Sequence, residues 1–130
     1  MFSEKTLDIL YKSGWSEDRR IDTSEYSHLL ANDGYQLFDI QRQFLSSFGG
    51  LHIVGVKNRP DLHFDLAQTY LSAGDLEYVS DGLVTILSPV GEFSNEHELI
   101  TMSSEGKIYY VYEEHSYLWA NSGEEAIEIL

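Results

Sequence analysis

A chain of 130 residues, 42% hydrophobic and 13% aromatic, is long enough for one domain that buries about two-thirds of its unfolded surface. Its 22 acidic against 8 basic side chains leave a net charge of −14, which argues against nucleic acid and anionic membranes as partners and favours a basic protein, whose capture the field would speed and salt would slow. The absence of cysteine excludes disulfides, thiolate nucleophiles and thiolate zinc sites.

The opening MFSEKTLDIL places acids and a lysine where a signal peptide needs an apolar run, so a soluble, cytoplasmic protein is expected. From Ser3 to Ser13, the apolar Leu7, Ile9, Leu10 and Tyr11 suit one helical stripe, with Ser3 as cap and Gly14 as stop. Asp22 stands three residues before Glu25 in the pattern of a capping box, and a second helix is expected up to Asn32, closed by Gly34. A third runs from Leu37 to Phe48, carrying Ile40, Phe44 and Leu45 inward and ending at Gly49-Gly50.

The period then changes. Leu51, Ile53 and Gly55 alternate with His52, Val54 and Val56, which predicts a strand. Short elements are expected at His63–Leu66 (strand), Asp75–Gly82 (helix) and Leu83–Leu87 (strand), the last ending in a turn at Ser88-Pro89. The uncharged stretch from Gly82 to Gly91 is half a membrane span and is broken by Pro89. Glu98–Ser103 and Lys107–Glu113 flank Ser104-Glu105-Gly106 as a hairpin with Gly106 at positive φ. Ser122 caps a last helix with Glu124 and Glu125 in its first turn and Ala126, Ile127 and Leu130 turned inward. Helices first, then strands joined by short turns, then a helix, predict a single α+β domain over 1–130, with a mostly antiparallel sheet flanked by helices.

Three stretches carry a family resemblance: Gly14-Trp15-Ser16-Glu17-Asp18-Arg19-Arg20-Ile21-Asp22, Phe44-Leu45-Ser46-Ser47-Phe48-Gly49-Gly50-Leu51, and Pro89-Val90-Gly91-Glu92. In this order the chain resembles the third group of the SUKH immunity-protein superfamily, from helix one to Leu130, and the hairpin around Gly106 matches the same layout. Where that group has proline-glycine before its arginine, this chain has Glu17-Asp18. The resemblance implies an intracellular immunity protein that binds and neutralises a toxin domain, often a nuclease, and that is not an enzyme. A nuclease presents a basic cleft to polyphosphate, which agrees with the charge argument.

Residue by residue, other chemistry finds little support. Trp15 and Arg19 read best as determinants of the loop between helices. Gly49-Gly50 follows a helix, where a phosphate loop precedes one. The five histidines stand singly, and on a strand Glu96 and Glu98 would face away from His97, so no metal and no cofactor are expected. With 22 acids a chance carboxylate pair means nothing, and no serine sits in a nucleophile elbow. The candidate partner-binding residues are the acids Asp61, Asp65, Asp75, Glu77, Asp81, Glu92, Glu96 and Glu98, with Tyr109 on a strand bearing large side chains on both faces and Glu113 and Glu114 at its end. Tyrosines would anchor the contact while the acids rim it. The competing readings are a regulatory interaction domain and a small carboxylate-dependent hydrolase. Either a monomer or a homodimer through an edge strand fits.

Overall fold

The computed structural model describes residues 2–32, 35, 37–53, 61–66, 87–93, 98–112 and 115–129. The expected helix at 75–82 and residues 83–86 of the strand expected at Leu83–Leu87 lie outside them.

Helix α1 (Glu4–Lys12) starts at Ser3, whose Oγ accepts the Thr6 amide at 3.3 Å, and is followed by Gly14 at φ +100°. Helix α2 (Ser24–Asn32) buries Tyr26 and Leu30. The Asp22 carboxylate accepts the amide and hydroxyl of Ser24, at 2.9 and 2.6 Å, so it serves the first helical residue and not a box with Glu25. Helix α3 (Asp39–Phe48) starts two residues later than its apolar pattern suggests and buries Gln41, Phe44, Leu45 and Phe48.

The strands are β1 (His52–Ile53), β2 (Leu62–His63), β3 (Leu87–Phe93), β4 (Glu98–Ser103), β5 (Ile108–Tyr112) and β6 (His115–Ala120). They form one antiparallel sheet in the order of the chain, each strand paired with its sequence neighbour. The β4–β5 hairpin turns at Gly106, whose φ is +90° and whose amide donates to the Ser103 carbonyl at 2.9 Å. Helix α4 (Gly123–Ile129) is capped by Ser122 Oγ, which accepts the Glu125 amide at 3.1 Å.

Two expectations need correction. Pro89 does not end a strand in a turn; it lies inside β3, paired with Thr101, and the register shifts between Pro89 and Gly91. A bulge is where a strand tolerates a residue lacking an N–H. Strand β6 was not anticipated at all.

The main core packs Leu10, Leu30, Leu45 and Phe48 of the helices against Ile100, Met102, Ile108 and Ala120 of the sheet, with Ile127 of α4. A smaller cluster on the opposite face joins Leu87 and Val111 to Tyr35, Leu99 and Tyr109. Ile108 and Val111 are buried on opposite faces of β5, with Tyr109 and Tyr110 half-buried beside them. The tyrosine-rich strand is therefore covered on both sides.

Candidate partner-binding surface

The first two sequence motifs meet at the C-terminus of α3, and Phe64 links them to the third. Helix ends leave carbonyls without partners, and Arg19 supplies donors: Nη1 to the Ser47 carbonyl at 2.7 Å and Nη2 to that of Gly49 at 2.8 Å. Burial pulls the Arg19 guanidinium below its ordinary pKa, against an opposing influence from Tyr26. The Trp15 ring lies parallel to Phe48 at 5.7 Å, and its indole N–H donates to Ser47 Oγ at 3.1 Å. The departure at Glu17-Asp18 does not open the turn, since Ser16 Oγ donates to Asp18 at 2.8 Å and the Arg19 amide to the Ser16 carbonyl at 3.2 Å.

From there the path runs into the sheet. Gly50, at φ +81°, donates its amide to the Phe64 carbonyl at 2.9 Å, and the Phe64 amide returns to Leu51 at 3.0 Å. Gly91 lies beneath His63 and Phe64 so closely that a methyl group would collide with the His63 carbonyl oxygen. Fully buried Gln41 joins α3 to the same strand by donating to Ser88 Oγ at 2.8 Å and the Pro89 carbonyl at 2.9 Å, while its Oε1 accepts the Phe38 amide at 3.1 Å. These residues are the frame of the fold.

The candidate acids occupy different settings. Glu92 has a side chain only 13% exposed, with Oε1 at 3.4 Å from Nε2 of buried His63, so it offers a partner little surface. His63 Nδ1 accepts the Asp65 amide at 3.2 Å, which leaves the proton on Nε2, toward the carboxylate. Half-exposed His52 stacks on His63 at 5.5 Å and faces the Asp65 carboxylate at 3.8 Å. Asp61 is exposed next to β2, and Glu98 opens β4 opposite Phe93. Tyr109 is half-buried on the smaller core. Asp75, Glu77, Asp81, Glu96, Glu113 and Glu114 lie outside the described residues. Among the described residues no group of three or more His, Asp or Glu is placed to hold a metal ion, and no helix is long and apolar enough to cross a membrane.

Among the described residues of the sheet, the large exposed apolar side chains stand elsewhere, on β6: Tyr117 at 47% and Leu118 at 55% exposure. This strand ends the sheet, pairing with β5 on one side only among the described residues. Tyr117 stacks on Tyr110 with centroids 4.9 Å apart, and Leu118 stands opposite Tyr109 on the other face. Past its end lies a groove of about 440 Å³ lined by Phe2, Ser122 and the carboxylates of Glu124, Glu125 and Glu128.

A family model described as SUKH-3 immunity protein matches residues 2–130. The chain belongs to the SUKH-3 immunity protein family. Comparison with curated proteins and with solved structures finds no match. Within this SUKH-3 fold, Gln41, His63, Tyr117 and Leu118 are the positions that sequence reading missed. Gln41 sat on an apolar helix face, a signal that was available. His63 and β6 lacked one, because their settings depend on neighbours distant in the chain.

Proposed function

We propose that this SUKH-3 chain is a cytoplasmic antitoxin that binds one cognate toxin domain, a basic nuclease, and covers its active surface without catalysing a reaction of its own. The observation that carries this reading is the family match over residues 2–130 joined to a net charge of −14. A polyanion of this size cannot compete for nucleic acid, but it complements the cleft that binds it. Asp61, Asp65, Glu98 and Tyr109 are contact candidates, together with Asp75, Glu77, Asp81, Glu96, Glu113 and Glu114. Glu92 is left out because it faces His63. Acids at the rim raise the association rate, and a few desolvated anchors hold the complex.

The test is to produce the toxin domain encoded beside this gene with and without the chain. Growth arrest by the domain alone, protection by the chain, and stoichiometric inhibition of purified nuclease that weakens with salt are expected. Arrest that the chain does not relieve would overturn the proposal.

A further inference from the structure

We propose that β6 is the docking edge, and that it takes an extended segment of the partner as a seventh strand, with basic residues flanking an apolar centre. The inference rests on the antitoxin reading and adds to it the surface and the mode of contact.

Exposed sheet edges carry unpaired N–H and C=O groups and invite pairing with any other strand. Folded proteins blunt them with charges, proline or very short strands. Among the described residues β6 shows none of these three protections. It is six residues long, and His-Ser-Tyr-Leu-Trp-Ala contains no Asp, Glu, Lys, Arg or Pro in a chain that is 23% charged. The register irregularity falls beyond Leu118, which leaves His115–Leu118 in regular pairing with β5.

The exposed side chains suit a strand laid alongside. Tyr117, braced by Tyr110, projects on one face of the edge, and Leu118, beside Tyr109, projects on the other. A docked strand would find apolar cover above and below while its backbone completes the ladder, the combination that gives strand addition both affinity and register. Charge selects the occupant. Glu113-Glu114 precede the strand in the sequence, and Glu124 and Glu125 follow in the first turn of α4. A second copy of this chain would bring two charges of −14 together, whereas lysine or arginine flanking an apolar centre would meet the field of an acidic chain, with Glu124 and Glu125 just past the strand.

The test measures binding of the purified toxin domain encoded beside this gene to the full chain and to two charge-matched variants. Leu118→Lys places a charge on the edge at an exposed position. Ala31→Lys does the same on the exposed surface of α2. Both should melt close to wild type, and L118K should bind roughly tenfold or more weakly while A31K binds as wild type. Independently of any variant, amide exchange along 115–118 should slow in the wild-type complex. Equal binding by L118K, or unchanged exchange in β6, would overturn the docking edge and leave the antitoxin reading standing. A wild-type chain that does not bind the toxin domain would overturn both. A free chain that sediments as a dimer and becomes monomeric in L118K would put a second copy at the edge and refute the proposed occupant.

Discussion

His63 and Glu92 face each other at 3.4 Å across the β2–β3 pair, with side chains only 6% and 13% exposed. Because His63 Nδ1 accepts the Asp65 amide, the Nε2 side of the ring is left facing the Glu92 carboxylate. Glu92→Ala should therefore strand a buried imidazole N–H and lower unfolding stability by about 1–3 kcal/mol. Glu92→Gln, which keeps an acceptor, should recover most of it. Urea unfolding midpoints decide the matter, and an alanine variant as stable as wild type would show that the pair does not hold these strands.

Arg19 closes the C-terminus of α3 through two donors of one planar group. Arg19→Ala should lose about 2 kcal/mol, the scale of hydrogen bonds from a charged group. Arg19→Lys should not restore it, because an ammonium cannot present the same fork. Thermal melting of the three proteins measures this. Full rescue by lysine would mean that charge alone suffices at the helix end.

Gly91 and Gly14 require glycine for different reasons, and alanine substitution separates them. At Gly91 the added methyl meets the His63 carbonyl and the Phe64 ring, so β2 or β3 must shift and the cost should reach about 3 kcal/mol. At Gly14 nothing lies within 4 Å, and only the φ of +100° opposes the change, at about 1–2 kcal/mol. Denaturation midpoints should fall in that order, and the reverse order would refute the packing argument.

The N-terminus is tied to α4 by Glu128, whose carboxylate accepts the Ser3 amide at 3.1 Å on each oxygen. Hydrogen bonding to Ser3 holds its pKa below the ordinary 4.5, against the opposing effect of burial. A depressed folded-state pKa means that the contribution is complete above the ordinary value and is lost as pH falls through the lower, folded one. The Ser3 amide should therefore be protected from exchange, once the intrinsic pH dependence is removed, down to about pH 4.5 and lose that protection below it. Glu128→Gln should flatten this dependence. Loss of the protection on raising the pH would contradict the assignment.

Much of this architecture is written locally. Ser3, Gly14 and the apolar stripe between them mark α1; Gly49-Gly50 mark the end of α3; Ser104-Glu105-Gly106 mark the hairpin; Ser122 marks α4. In each case one residue type satisfies a nearby backbone requirement. Pro89 misled because proline ordinarily stops a strand, while here a register shift accommodates it and Gln41, 48 positions away, binds its carbonyl. Strand β6 stayed hidden because His-Ser-Tyr-Leu-Trp-Ala does not alternate cleanly: Tyr117 and Leu118 are both exposed and Trp119 is half-buried, as suits an edge covered unevenly by its single neighbour. The three motifs looked like separate short patterns. Their linkage, from Arg19 to the end of α3 and from Gly50 through Phe64 to Gly91, appears only in three dimensions.

The order of the sheet also bears on timing. Strands β3 to β6 each pair with the neighbour next to them in the chain across short connections, so this part of the ladder can zip outward from the tight β4–β5 turn without first closing a long loop, and sheets built from such local pairings reach the native state sooner than those that join distant segments. A protein that protects its own cell is useful only if it matures before its target is active. For the proposed antitoxin, the run of neighbouring hairpins over β3–β6 supplies that head start.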